Sequence, residues 1–353
     1  MKNLKMILAV AATASLTVAC NKNFQTVEPL EPSGSSVLNF SLAGIDAMTK
    51  ASSVTSQGKE TIVSDVQILL FDSDNKVAVY LDNGTSTTGS ITVKQGTYTL
   101  AALVNGPDVS GVNTYDELHS VSVPLSEYNS TSTDFVMFGK ESGVEVLKNQ
   151  SNSKTVTVER LVSRARLASV SNKCPVGLGV LTLKRVFLSN IVCNRNVPPH
   201  PTASLWSNKF GRSDISNSST IIDGSSYKAE PEDLTFADLE ENAIAVGSTS
   251  DQLAFLYSYP NPESDNVKTY TGVWTPTATR LVIVAELDGT DYYYPVALPA
   301  TKANYSYDVS VSIYGKGLSD PQGDISDLAD KGTANVQVSI KDWISGNEYN
   351  VEY

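Results

Sequence analysis

Histidine and cysteine are scarce in this sequence. Two histidines, His119 and His200, and three cysteines, Cys20, Cys174 and Cys193, are spread over 353 residues. Neither histidine has a Cys or His neighbour at the spacing that zinc ligands need, so no metal ligand set is read. GxSxG, HExxH, GxGxxG, a P-loop and CxxC are all missing. These absences argue against an enzyme, and no catalytic residue, metal or cofactor is expected. A carboxylate pair for glycoside hydrolysis is the one arrangement that escapes this test, because separation in space is not visible in a sequence. Clustered basic residues are lacking too. With 26 Lys and Arg against 38 Asp and Glu, the net charge is -12, which argues against nucleic-acid or anionic-membrane partners. Long apolar runs are confined to the amino terminus, where Met6–Val18 is too short to span a bilayer.

What is present begins with an export signal. Lys2 and Lys5 precede the apolar run, and Leu16–Cys20 (LTVAC) resembles a bacterial lipobox, with small Ala19 before Cys20. Residues 1–19 are therefore read as a lipoprotein signal peptide and Cys20 as the lipidated residue. Asn21–Ser36, rich in Pro, Glu and Ser, reads as a spacer.

The organising stretch follows, Val37–Ala51. Leu38, Phe40 and Leu42 alternate with Asn39, Ser41 and Ala43, the period-2 pattern of a strand with one buried face. Gly44 ends it, and the polar run Thr49–Gly58 reads as an exposed loop in which Lys50, followed by small Ala51, suits a Lys/Arg-specific protease. At the other end of the chain Tyr349, Val351 and Tyr353 alternate with Asn350 and Glu352. The first strand is read as a removable plug and this tail of another copy as its replacement. Three such apolar side chains contribute about 5 to 9 kcal/mol before ordering costs. The alternative is an ordinary last strand folded into its own domain.

Between these ends the chain reads as almost entirely β. Ile62–Asp72, Lys76–Asp82, Ser90–Val93, Tyr98–Asn105, Val121–Leu125, Asp134–Gly139 and Lys154–Val158 are short, rich in β-branched and aromatic residues, and punctuated by turn residues. A helical turn is expected at Tyr115–His119. Asp72–Asn75 reads as a hairpin turn in preference to a calcium loop, since the Gly and distal Glu of an EF-hand are missing. Glu159–Val170 carries Arg164 and Arg166 on one face, expected to be solvated or carboxylate-paired, and is read as closing the first domain. A second series runs through Val180–Val192, Gln252–Tyr259, Thr279–Leu287, Tyr292–Leu298, Tyr305–Tyr314 and Asn335–Trp343. It is interrupted by a surface excursion with a short helix expected over Asp233–Glu241. Cys174 and Cys193 bracket the run Gly179–Val192 and are a candidate disulfide, provided the fold brings their Cα atoms within about 7 Å. Strands without alternating helices point to an all-β protein of two tandem antiparallel β-sandwich domains. The expected divisions are 20–50 (spacer and first strand), 51–172, 173–332 and 333–353.

The lipobox, the first strand followed by a basic residue, Val158–Leu167 (VERLVSRARL), Leu183–Ile191 (LKRVFLSNI) and the ending Val336–Tyr353 together resemble the fimbrillin family, subunits of type V pili. The resemblance implies transthyretin-like sandwiches, outer-membrane export as a lipoprotein with palmitate among its lipid, proteolytic removal of the first strand at Lys50, and polymerisation by strand exchange. Implied partners are further copies of the chain, separate anchor and tip subunits, an Arg/Lys-specific surface protease, and host or bacterial surface ligands. The implied location is first the outer membrane and then a cell-surface fimbrium that supports adhesion, with this chain as a major or stalk subunit. Two other readings stay open. An anchor or tip subunit shares the fold but lacks either the cut or the donor tail. A surface glycan-binding lipoprotein keeps Cys20 and its first strand and displays an aromatic platform, for which Asp291–Pro295 (DYYYP) is the candidate.

Overall fold

The computed structural model describes residues 34–45, 60–125, 127–128, 134–198, 205–207, 236–264, 277–319, 334–342 and 348–352. In chain order these form β1 (Ser35–Ala43), β2 (Val66–Phe71), β3 (Val77–Asp82), β4 (Thr88–Lys94), β5 (Gly96–Val104), helix α1 (Tyr115–Ser120), β6 (Ser122–Pro124), β7 (Met137–Val146), β8 (Asn152–Thr157), β9 (Glu159–Arg160) and β10 (Ser163–Asn172). After a 3-10 turn at Val176–Leu178 come β11 (Leu181–Ser189), β12 (Ile191–Asn196), β13 (Leu205–Ser207), β14 (Phe236–Ile244), β15 (Thr249–Ser258), β16 (Arg280–Leu287), β17 (Thr290–Ala297), β18 (Tyr305–Ile313), β19 (Ala334–Asp342) and β20 (Glu348–Glu352). The expected all-β sandwich class is borne out.

The N-terminal strands make two sheets, β4-β1-β8 and β3-β2-β5-β7-β9. The second is covered on both faces, which explains why β2 reads VQILLF without a polar residue after Gln67. Val66, Ile68 and Leu70 join the core beneath β1, with Leu38, Phe40, Leu100, Ala102, Val104 and Met137. Leu69 and Phe71, on the opposite face, join a larger core that continues through Leu118, Val162 and Leu167 into Leu181, Leu281 and Val309. The C-terminal strands form the sheets β15-β10-β18-β19-β20 and β14-β11-β16-β17, and β13-β12-β6 ties the two halves, since β6 precedes the junction and pairs with β12. Pairing is antiparallel except where β1 lies parallel to β8 and β10 parallel to β18.

Several expectations are corrected here. Glu159–Val170 does not close the first sheet pair as one run. It divides, with β9 pairing to β7 and β10 entering the sheet of β15 and β18. Arg164 and Arg166 are buried, so the solvated alternative falls and the carboxylate-paired one holds. The helix expected over Asp233–Glu241 is a strand from Phe236 onward. Glu240 and Glu241 adopt positive φ, 49° and 54°, and this bulge breaks the period-2 pattern between buried Leu239 and Ile244. The turn at Tyr115–His119 is borne out as α1, capped by Thr114 Oγ1 accepting from Glu117 N–H. Asp72 accepts from the N–H groups of Asp74 and Lys76 at 2.9 Å each, the polar hairpin turn expected of it. No group of His, Cys, Asp and Glu suited to a metal occurs among the described residues, and no described helix is long and apolar enough to cross a membrane.

No disulfide joins Cys174 and Cys193. Both are buried thiols, Cys174 with its Sγ against the Ile313 carbonyl and Cys193 within β12. Burial pushes the Cys174 thiol above its ordinary range, which slows its reactions further because the thiolate is the nucleophile. A Cys20→Ser precursor is accordingly expected to show unchanged gel mobility and melting temperature with or without reductant. A thiol reagent should titrate both cysteines only after denaturation.

Candidate functional site

The site is the slot that β1 fills. β1 runs antiparallel to β4, from Ser35 opposite Lys94 to Ser41 opposite Thr88, and parallel to β8, from Leu38 beside Asn152 to Ala43 beside Thr157. Both of its backbone edges are therefore paired. Leu38 is 1% exposed and Phe40 4%, Leu42 is half-buried at the rim, and Val37 faces outward. Burying Leu38 and Phe40 stabilises the fold by about 3 to 6 kcal/mol. Polar ties fix the register. Asn39 Nδ2 donates to the Asn152 carbonyl at 3.4 Å, Asn152 Nδ2 donates to the Val37 carbonyl at 3.2 Å, and the Ser41 and Thr155 hydroxyls lie 2.9 Å apart.

The strand ends for a steric reason. Gly44 has φ +91°, and a Cβ there would collide with the Val158 carbonyl, so only glycine fits this turn. Just beyond it, the carbonyl of buried Ile45 accepts from Arg160 Nη2 at 3.0 Å. Description of the chain resumes at Glu60, and the same guanidinium holds it, with Arg160 Nε and Nη2 donating to the Glu60 carbonyl at 3.1 and 3.0 Å. The Glu60 carboxylate accepts from Arg164 Nη1 at 3.1 and 3.2 Å and from the Tyr257 hydroxyl, while Arg164 Nε donates to Ser306 Oγ at 2.9 Å. Arg160 and Arg164 are fully buried and Glu60 nearly so. Burial, and next the neighbouring Glu60 carboxylate, push the Tyr257 hydroxyl far above its ordinary 10.0.

Of the residues singled out in the sequence, Leu38, Phe40 and Leu42 lie together in this slot. Cys20, Lys50, Ala51 and Tyr353 lie outside the described residues. Tyr349 and Val351 belong to β20, which pairs antiparallel with β19 and forms the edge of its own sheet. The tail is thus docked in cis, in a different sheet from the slot. The tyrosines of Asp291–Pro295 form no open platform. Tyr294 is buried, donating to the Gly315 carbonyl at 2.9 Å, while Tyr292 and Tyr293 are half-buried. Glu60 and Tyr257 carried no signal in the sequence, since the carboxylate meets Arg164 only through a contact spanning 104 positions.

Residues 36–178 match the family model of the major fimbrial subunit protein (FimA), which bears out the resemblance to the fimbrillin family, one of structural subunits rather than enzymes. Three solved structures share the fold. A proposed cell adhesion protein from Bacteroides eggerthii aligns with TM-score 0.62 and 14% identity over 89% of this chain and 97% of its own. A fimbrilin (FimA) from Porphyromonas gingivalis gives 0.60 and 11% over 88% and 98%. The tip fimbrial protein Mfa3 from Porphyromonas gingivalis, truncated at its C-terminus, gives 0.52 and 13% over 88% and 100%. No curated protein matches the sequence significantly.

Removing one member of a buried ion pair leaves the other charge uncompensated. Glu60→Gln is therefore expected to cost about 3 to 5 kcal/mol of stability in denaturant titration, with Glu60→Leu combined with Arg164→Met recovering much of it. The tyrosine gives a pH signature. Its folded pKa lies above the unfolded 10.0, so its contribution is complete below pH 10 and is lost as pH rises beyond it. Tyr307, pushed up to about 12 mainly by burial, adds in the same direction. Stability should fall steeply above pH 10, with a shallower fall in Tyr257→Phe.

Proposed function

We propose that this chain is a fimbrial stalk subunit, exported as a lipoprotein on Cys20 and activated when a Lys/Arg-specific protease cuts after Lys50. The cut releases β1, and the tail of another copy takes its place. The observation that carries this reading is that β1, the first of the described strands, is an inner strand of its sheet, paired on both sides by strands that come later in the chain. β1 ends at Ala43 and β2 begins at Val66, so a cut after Lys50 falls between these two strands in the sequence. Losing β1 leaves β4 and β8 with unpaired edges over an apolar floor, which in water invites addition of a strand with matching side chains.

The tail's starting position bears on how much of it travels. Asp342 of β19 pairs with Tyr305, next to Asn304, whose N–H donates to the Val162 carbonyl at the junction with the N-terminal sheets. Ala334 pairs with Ile313 at the opposite end of β18. β20 swinging alone about residues 343–347 would leave beside its own N-terminal half. β19 and β20 leaving together depart from the far end, which suits delivery to a second copy stacked end to end. Such a heterologous joint does not close and produces a filament. A filament that has shed its lipid needs a separate anchor subunit, and a tip subunit ends it; the tip protein from Porphyromonas gingivalis has the same fold.

Limited digestion of the purified precursor with a Lys/Arg-specific protease tests this, read by intact mass and by gel electrophoresis without boiling. The expected result is one early cut after Lys50 and a ladder of denaturant-resistant multimers, lost when Tyr349–Tyr353 are deleted. A monomer that retains its first strand throughout digestion would overturn the stalk reading.

A further inference from the structure

We infer that Gly89 selects the strand that replaces β1: it is a notch for an aromatic ring, and the strand of a second copy that satisfies it is β20, through Tyr349 or Tyr353, and not β19. This rests on the reading of β1 as a replaceable strand. Gly89 lies in β4 directly opposite Phe40. A Cβ at that position would stand 2.5 Å from Cζ and 2.9 Å from Cε1 of the Phe40 ring, and 2.9 Å from Asn83 Oδ1. Neither neighbour has room to yield. The ring is 4% exposed within the slot, and Asn83 is held by Nδ2 donating to the carbonyls of Ser86 at 2.6 Å and Thr88 at 3.1 Å. The ring therefore occupies the space that a side chain on β4 would otherwise fill, an aromatic residue covering a cross-strand glycine.

The consequence concerns whatever enters next. A valine or leucine facing Gly89 fills less of the notch and leaves a void, and voids in packed cores are costly. Elsewhere the slot is less selective. Leu38 faces Ile91, an ordinary aliphatic pair, and Leu42 sits half-buried at the rim. Of the two last strands, β19 alternates Val336, Val338 and Ile340 and has no aromatic residue, whereas the tail from Glu348 offers tyrosines at 349 and 353. β19 is then the arm that crosses between copies and β20 the plug.

Two coupled measurements test this. In the uncut precursor, Gly89→Ala should lower the melting temperature, and Phe40→Leu should cost less in the Gly89→Ala background than in the wild type, the non-additivity of residues in direct contact. In the full-length chain cut after Lys50 and freed of its N-terminal fragment, a labelled peptide of residues 346–353 should bind, and one of residues 334–342 should not. Replacing the notch tyrosine by leucine should weaken binding about tenfold, roughly 1.4 kcal/mol. One of Tyr349→Leu and Tyr353→Leu should show this loss, and the same replacement should lose little against Gly89→Ala protein. Equal binding of both tyrosine variants and the parent peptide would overturn the notch, as would undiminished binding of the parent peptide by Gly89→Ala protein. If the cut protein takes neither peptide while Gly89 and Phe40 remain coupled in the precursor, strand replacement itself falls and the inference falls with it.

Discussion

A carboxylate with almost no solvent contact, Glu60, is the point on which the junction of this molecule turns. Taking a charge out of water is expensive, and the cost is offset here by the donors from Arg164 and Tyr257 converging on the same two oxygens. Those donors come from β10 and β15, in the C-terminal sheet. The Glu60 carbonyl meanwhile satisfies Arg160 on β9, in the N-terminal sheet. One residue thereby joins both halves and fixes the chain where it leads toward β2. Because Arg160 also holds the Ile45 carbonyl, both ends of that segment meet one guanidinium. A cut between them leaves the downstream end anchored by a charge network and the upstream end by a single hydrogen bond, the Ile45 side chain and the strand itself.

This asymmetry suits the detachment of β1 proposed above. β1 is paired on both sides and buries two large side chains, yet nothing ionic ties it down among the described residues. The ionic contacts lie downstream, at Glu60, Arg160 and Arg164. The continuous core running from Leu69 and Phe71 through Leu167 to Leu281 and Val309 does not include Leu38 or Phe40, which belong to the separate cluster beneath β1. Loss of β1 thus exposes one cluster and spares the other.

Much of this was legible in the sequence, and what was not failed for physical reasons. The strand at Leu38, Phe40 and Leu42 announced itself through alternation, because it is buried on one face only. β2 announced itself as a continuous apolar run, because it is buried on both. The strand at Phe236–Ile244 was hidden by a bulge at Glu240 and Glu241 that shifts the pattern by an amount that imitates a helix. Arg160 and Arg164 were visible as charges inside an apolar run, but their common partner lies about a hundred residues upstream, and no local period points to it. Gly89 was invisible for the opposite reason. Between Thr88 and Ser90 it reads as a turn residue, and only the register with Phe40 reveals that its missing side chain is the feature that matters.

In the strand exchange proposed above, the slot faces two demands that conflict if contact strength alone is considered. β1 must hold firmly enough that no tail enters the uncut precursor, and yet must give way to a tail of similar length and pattern. The conflict is resolved by connectivity. While the chain is intact, β1 competes at the effective concentration of a tethered segment, far above that of any donor in solution. Cutting leaves every contact of Leu38, Phe40 and Asn39 unchanged and removes only that advantage. A released β1 would diffuse away, whereas the proposed donor would remain covalently part of a folded subunit whose β19 continues the connection. On that proposal the same contacts that excluded the tail would then retain it, and the irreversible chemistry of one peptide bond would set the direction of exchange.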